Sequence, residues 1–388
     1  MTQESNSSFP KGIYIHFPFC LKKCSYCDFY SIPGVSASIR DQYTQALLHE
    51  IDRQAAVTCS SNPIQSIYFG GGTPSLLSSG QIARVLERVN ARFQVDAGAE
   101  ITLEANPATL DRDKLVGMLE AGINRISLGV QSFNDNELQM LGRVHNSSDV
   151  FKTIDIIKSL PLKNYNIDLI YGLPGQSIEG WLGNLQQLMS CHPRHISMYL
   201  LQLDPVTPMG QEVDSKRMLL PDDDSVADMY YAGIDYLTGK GYRQYEISNL
   251  SLPGAECRHN IFYWQAESYL GLGAGAVSYG KGRRWRNLPD INAYLNCCQS
   301  QETCPIEELE HMDEQGIISD AVILGLRMTD GIDLERFSQR FGIDLASYYK
   351  EVIKLCRAQG LLEMEQGRLF LTKTGYFLSN QVLCRFMA

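Results

Sequence analysis

The sequence has no apolar run of the roughly 18 residues that a membrane-spanning helix needs. Its opening residues, Met1-Thr2-Gln3-Glu4-Ser5-Asn6-Ser7-Ser8, carry neither the cationic nor the apolar stretch of a secretory signal. A cytoplasmic location is therefore expected. Positive charge is also in short supply: 34 Lys and Arg stand against 44 Asp and Glu, a net charge of −10. Duplex binding works by neutralising phosphates with cations, so no nucleic-acid partner is expected. There is no internal repeat and no low-complexity tract. The 11 cysteines are odd in number and, except in one place, irregular in spacing. In a reducing compartment they are not a disulfide framework. What remains is an ordinary globular composition, 44 % hydrophobic and 20 % charged. At 388 residues it suffices for about two or three domains.

After a polar tail over residues 1–12, strands and helices alternate. Strands are predicted at Ile13–Phe17, Gln65–Phe69, Glu100–Glu104, Arg125–Val130, Asn164–Tyr171 and His195–Leu200. Helices are predicted at Arg40–Ala56, Ser79–Phe93, Asp111–Ala121, up to about Leu160, and Gln176–Met189. Such alternation implies βαβ units around a parallel sheet, an α/β fold. Beyond Leu203 the alternation weakens. A helix at Asp222–Lys240 and a Gly-rich, strand-like stretch at Ser268–Tyr279 follow. A domain boundary is placed near 300, within the polar stretch between Tyr294 and Glu314. The last part reads as helices at Glu314–Arg327, Leu334–Phe341 and Leu345–Gln359, a hairpin at Leu361–Leu371 turning at Gly367, and a final helix from Lys373. Helices followed by a hairpin suggest a winged-helix-like unit at 301–388, behind a main domain at 13–300. Glu335, Arg336, Glu351, Lys354 and Arg357 nearly balance in charge, which favours a structural or partner-binding role over DNA reading.

Cys20, Cys24 and Cys27 form a C-x3-C-x2-C triplet just after the first strand. Their spacing could be the stripe of a helix, but Pro18 and the surrounding aromatics oppose one. Structural zinc would need a fourth ligand, such as His16 or the distant His259. Three thiolates on a short loop suit a 4Fe–4S cluster, with one iron left open for a ligand from solution. The second signal is Phe69-Gly70-Gly71-Gly72-Thr73-Pro74-Ser75, where bare backbone can approach a ligand. No Gly-Lys-Ser/Thr follows, so a phosphate loop is disfavoured. Gly271-Leu272-Gly273-Ala274-Gly275-Ala276 superficially fits a dinucleotide fingerprint, but no βαβ unit follows it. Lys281, Arg283, Arg284 and Arg286 around Trp285 read as a solvated loop.

The triplet, with Tyr26 before its third cysteine, resembles the signature of the radical S-adenosylmethionine superfamily. That resemblance implies a partial TIM-type (β/α)6 barrel with the cluster loop at the C-terminal ends of the strands. It also implies S-adenosylmethionine chelated to the open iron through its methionine end. Within the superfamily the chain is similar to the oxygen-independent coproporphyrinogen III oxidases and their relatives, the HemW-type haem chaperones. The similarity rests on Tyr14-Ile15-His16-Phe17-Pro18-Phe19-Cys20, the glycine run, Glu104-Ala105-Asn106-Pro107, Gly129-Val130-Gln131-Ser132-Phe133, Leu141-Gly142-Arg143-Val144-His145, Asp168 to Gly175, and Tyr245-Glu246-Ile247-Ser248-Asn249.

By position, the resemblance implies that Tyr14, Gly71 and Glu104 hold the cluster-bound S-adenosylmethionine. It implies a second such site at Tyr26, Gly72, Thr73, Gln131, Arg143 and Asp168. Without the resemblance, Glu104, Arg143 and Asp168 would read as an ion-pair network. The oxidases resemble a pattern with a further cysteine two residues after the triplet, where this chain has Phe29, and carry an N-terminal arm, where here only about a dozen residues precede the first strand. Both departures point to the chaperone branch, and so to haem as cargo for client proteins such as respiratory enzymes, some of them membrane-associated. His259-Asn260-Ile261-Phe262-Tyr263-Trp264 resembles that branch's H-N-x-x-Y-W motif, which implies His259 as a haem ligand. The first alternative remains coproporphyrinogen decarboxylation, and the second a zinc-stabilised binding module.

Overall fold

The computed structural model describes residues 10–58, 62–299 and 306–387. Residues 1–9 of the expected tail, and the 300/301 division itself, lie outside the described residues. Six strands follow one another with intervening helices: β1 (Gly12–Phe17), β2 (Ile64–Gly71), β3 (Val95–Ala105), β4 (Arg125–Gln131), β5 (Tyr165–Tyr171) and β6 (His195–Leu200). Each is parallel to the next. Then come β7 (Arg243–Glu246), β8 (Asn249–Ser251), β9 (Tyr269–Leu272), β10 (Val277–Gly280), β11 (Arg283–Asn287) and β12 (Ile306–His311). The sheet order is β12-β11-β10-β9-β1-β2-β3-β4-β5-β6-β8-β7. β9 adds a seventh parallel strand beside β1, and the remaining additions are antiparallel. The sheet runs from one edge to the other without closing, so this is a partial barrel.

Alternation along the strands separates the two faces. Ile13, Ile15, Phe17, Ile67, Phe69, Leu103, Ile126, Leu128, Ile167 and Ile196 are wholly buried in one core with apolar residues of the surrounding helices, such as Leu47, Val85 and Leu185. The residues between them are largely polar and line the lumen. In register these are Tyr14, Tyr68, Thr102 and Arg125, then Glu104, Ser127, Asn166 and His195. Helix ends follow their capping residues: Ser36, Ser78, Asp111, Asn146 and Ser177 each accept a backbone N–H of the first turn.

The C-terminal unit has its own core, including Val322, Phe337, Leu345, Ile353, Leu369 and Phe386. Its elements are a helix at Glu314–Gly325, β13 (Ile332–Asp333), a helix at Leu334–Phe341, helices at Leu345–Tyr348 and Lys350–Ala358, β14 (Leu362–Glu365) and β15 (Arg368–Leu371). β13 pairs with β15, and β15 with β14, which is winged-helix order. The hairpin turns at Gln366-Gly367, both at positive φ, which suits a two-residue turn. One long helix was expected over Leu345–Gln359. It breaks at Tyr349, whose ring packs on Phe386 5.0 Å away.

Beyond residue 300, β12 pairs with β11 and so extends the large sheet. The expected solvated loop around Trp285 is instead strand β11. Its arginines pair with β12 and with the helix beyond: Arg283 with Glu308, Arg284 with Glu310 and Asp320, and Arg286 with Glu307.

Candidate functional site

The parallel strands point their C-terminal ends at a cleft of about 840 Å³. The loop with Cys20, Cys24 and Cys27 forms one wall, and all three are free thiols. The loop is pinned by its neighbours. The Ser25 amide donates to Leu141 O (3.1 Å), Ser25 Oγ to Met140 O (3.0 Å), and the Met209 amide to Ser25 O (2.9 Å). Burial pushes the Cys20 and Cys27 thiols up, so binding a cluster there has to displace their protons.

A belt of hydrogen bonds joins two of the thiols. Thr73 Oγ1 donates to Cys20 Sγ (3.7 Å), and Asn106 Nδ2 donates to Thr73 Oγ1 (3.0 Å). Arg143 donates through Nη2 to Asn106 Oδ1 and to Gly129 O (2.6 Å), and through Nη1 to Cys24 Sγ (3.3 Å). Its Nε is buried with no partner. Arg143 also hydrogen-bonds the Tyr26 hydroxyl.

Below the loop, Glu104 accepts from Tyr68 Oη (2.9 Å) and the Gly71 amide (3.2 Å). Asp168 accepts from Ser127 Oγ (3.1 Å) and Asn166 Nδ2 (2.6 Å). Glu104, Arg143 and Asp168 are thus held by hydrogen bonds, not by the ion-pair network that was the plain alternative. Burial, opposed by the Tyr68 bond and aided by the nearby Asp168 charge, lifts Glu104 to about 7. Burial also raises Asp168. Gln131 ends β4 at φ 71°, where the register shifts, an uncommon conformation for a residue with a side chain. It lines the same cleft.

The glycine run has a reason that its sequence alone did not show. Gly71 sits at φ 111°, and a Cβ there would lie 2.6 Å from the His16 ring. A Cβ on Gly72 would meet Phe19 O at 2.7 Å. The turn is pressed onto the β1 segment and cannot carry side chains. The Gly72 and Thr73 amides are already spent on Phe17 O (2.9 Å) and Phe19 O (2.8 Å). The turn therefore offers a ligand bare backbone, not free N–H groups.

Two expected residues are not brought to the cleft. Tyr14 lies beneath the glycine turn, its hydroxyl 3.0 Å from His16 Nδ1 and its ring stacked on Tyr68. His259 is 2 % exposed, on a short helix (Arg258–Trp264) that packs against the starts of the strands. Its Nδ1 meets Ser66 Oγ at 2.8 Å and its Nε2 meets Tyr263 Oη at 2.8 Å. Both ring nitrogens are used, and burial lowers its pKa to about 3. In this conformation it has no lone pair to give to iron. Asn260 and Trp264 of the same motif do line the cleft.

The single-ion zinc reading finds no support in the geometry. Among the described residues no three His, Cys, Asp or Glu side chains are placed to hold one metal ion. The fourth ligands considered are occupied, His16 by Tyr14 and Tyr30 O, and His259 as above. A cluster needs no such common centre, because each thiolate binds a different iron.

The Radical SAM superfamily matches residues 14–188, and the HemN C-terminal domain matches residues 312–378. The chain is 34 % identical over 378 residues to the Heme chaperone HemW of Lactococcus lactis, covering 97 % of both chains. It belongs to the HemW family of radical SAM proteins. The HemW of Escherichia coli is 42 % identical over 277 residues, 71 % of this chain and 72 % of that one. The fold is similar to coproporphyrinogen III oxidase (HemN) from Escherichia coli, at a TM-score of 0.84 and 25 % identity, over 98 % of this chain and 90 % of the other.

Radical SAM membership implies a 4Fe–4S cluster and S-adenosylmethionine. The site fits such a cluster: three free thiols on one anchored loop, two of them already receiving hydrogen bonds, open onto a cleft with room for a ligand. In this HemW-family chain Phe29 lies on the rim of that cleft, 65 % exposed. The sequence does not single out Asn106, although it joins Thr73 to Arg143. A polar residue directly after β3 was the available signal. Ser25, Glu246 and Arg327 were also missed. Among the described residues no helix is long and apolar enough to cross a membrane.

Proposed function

We propose that this protein is a haem chaperone that binds a cluster, S-adenosylmethionine and haem, and delivers haem to client proteins in the cytoplasm or at the membrane face, respiratory enzymes among them. The observation that carries this reading is end-to-end similarity to relatives named Heme chaperone HemW, joined by Phe29 where the oxidases carry a cysteine. The residues 13–300 form the cofactor-binding barrel, and 301–388 form the winged unit, except that β12 of the second stretch serves the first.

Cys20, Cys24 and Cys27 hold the cluster. When bound there, it supplies an electron and an open iron for the methionine end of S-adenosylmethionine. Thr73 and Arg143 donate to the sulfurs and stabilise their charge. Glu104 accepts from the ligand's amino or hydroxyl groups, and Gly71 lets the ligand approach the turn. Tyr14 serves from below, by supporting that turn. Tyr26, Gly72, Thr73, Gln131, Arg143 and Asp168 frame a second S-adenosylmethionine site.

The likeness to coproporphyrinogen III oxidase favours decarboxylation as the second reading. Anaerobic incubation of reconstituted protein with S-adenosylmethionine, reductant and coproporphyrinogen III separates the two. Little decarboxylated porphyrin, with haem transferred from this protein to an apo-client, supports the chaperone. Matched, multiple-turnover amounts of 5′-deoxyadenosine and decarboxylated porphyrin would overturn it.

A further inference from the structure

Another wall of the cleft is built where the barrel meets the C-terminal unit. Glu246 ends β7, Asn249 starts β8, Trp264 ends the short helix, and Arg327 lies just past the Glu314–Gly325 helix. All four line the cleft. The junction is tightly fastened. Glu246 bridges Met328, the Thr329 amide donates to Tyr245 O (3.0 Å), and Tyr376 Oη donates to Thr329 O (3.1 Å).

Buried polar atoms without a partner are rare and need an explanation. Here four gather on one wall: Glu246 Oε2, Asn249 Oδ1, Trp264 Nε1 and Arg327 Nε. The Arg327 guanidinium lies 4.4 Å from the Trp264 ring centre, which fixes its orientation. Its Nη2 is 3.8 Å from Glu246 Oε2, too far for a hydrogen bond. Arg327 Nε–H and Trp264 Nε1–H are both donors. Burial raises the Glu246 carboxyl above its ordinary value, with the Arg327 charge opposing. Asn249 Oδ1 is an acceptor that an ordered water can satisfy. Apolar surface adjoins the donors, with Phe377 of the C-terminal unit and Tyr230 of the barrel also lining the cleft, their rings 6.2 Å apart. Unpartnered donors beside aromatic surface suit an amphipathic, planar ligand with a carboxylate.

We propose that this wall binds a carboxylate of the cargo, a haem propionate, with Arg327 Nε–H and Trp264 Nε1–H as its donors. The assignment rests on the haem-chaperone reading, and it gives the C-terminal unit a direct part in holding cargo.

The test is a spectrophotometric titration of the reconstituted full chain with haem and, separately, with haem dimethyl ester, which has no free carboxylates. Arg327→Gln should weaken haem binding about tenfold, the worth of one charged hydrogen bond. Trp264→Phe should weaken it severalfold. Neither should change affinity for the ester, and unchanged ester binding shows that each variant is folded. If haem and ester affinities fall together, or haem affinity does not fall, the subsite is wrong while the chaperone reading stands. If the unaltered protein binds neither compound, the chaperone reading fails and takes the subsite with it.

Discussion

The titration of Glu104 offers a quantitative test of the lumen. Its carboxyl is buried between Tyr68 and Gly71, near Asp168, and titrates at about 7 against an unperturbed 4.5. The folded state therefore keeps this proton to higher pH than the unfolded state does. Between those two values the folded chain binds more protons, so stability must fall as pH rises through the window. A gap of about 2.5 units at 1.36 kcal/mol each corresponds to about 3 kcal/mol in full, of which about 2 kcal/mol is lost between pH 5.5 and pH 8. Glu104→Gln removes the titration and keeps the shape. Urea unfolding of the cluster-free protein, followed by tryptophan fluorescence at both pH values, reads the difference. The original chain should lose about 2 kcal/mol more than Glu104→Gln over that interval. Parallel pH dependence in the two proteins would show that Glu104 does not titrate in this range and that the lumen is better solvated than its burial implies.

Other perturbations probe the remaining parts of the site. Asn106→Ala should take one hydrogen bond each from Thr73 Oγ1 and Arg143 Nη2, which keep Cys20 Sγ and Gly129 O as partners, and cost about 1–3 kcal/mol in the cluster-free chain. It should also change the reduction potential of the reconstituted cluster by spectroelectrochemistry, and an unchanged potential would detach the belt from the cluster. Gly71→Ala combines positive φ with a Cβ against His16, so it should destabilise by more than about 1 kcal/mol and lower the melting temperature. A neutral result would mean that the turn can shift away from β1. His259→Ala should cost about 2–4 kcal/mol through lost packing and two lost hydrogen bonds, while leaving the haem absorption band in place. A shifted band would make His259 an iron ligand after all.

Much of this was legible in the chain itself. The predicted strand His195–Leu200 and the predicted helix Leu334–Phe341 match the structure to the residue. Their patterns, period two with an apolar face and a capped amphipathic turn, are complete within a few residues. Strand β12 was not legible. Its six residues are all exposed, and it exists because Glu307, Glu308 and Glu310 pair with arginines more than 20 positions away. In isolation those glutamates read as a polar linker. Gly71 and Gly72 line the cleft, yet the pressure of His16 and Phe19 that demands glycine there comes from a segment far from the run in sequence.

Taken alone, the sequence determined the strand–helix succession and the chemistry of the cysteine loop, because side-chain alternation and a three-thiol spacing are local properties. Tertiary structure decided which polar groups have partners. It joined Cys20 to Cys24 through Asn106 and Arg143, turned His259 inward with both nitrogens spent, and left Trp264 and Arg327 with donors to spare. The physical reason is that a buried hydrogen bond is settled by whichever group the fold brings within about 3 Å. For all but one of these bonds that group lies tens to hundreds of positions away along the chain, the exception being Tyr263, four residues from His259.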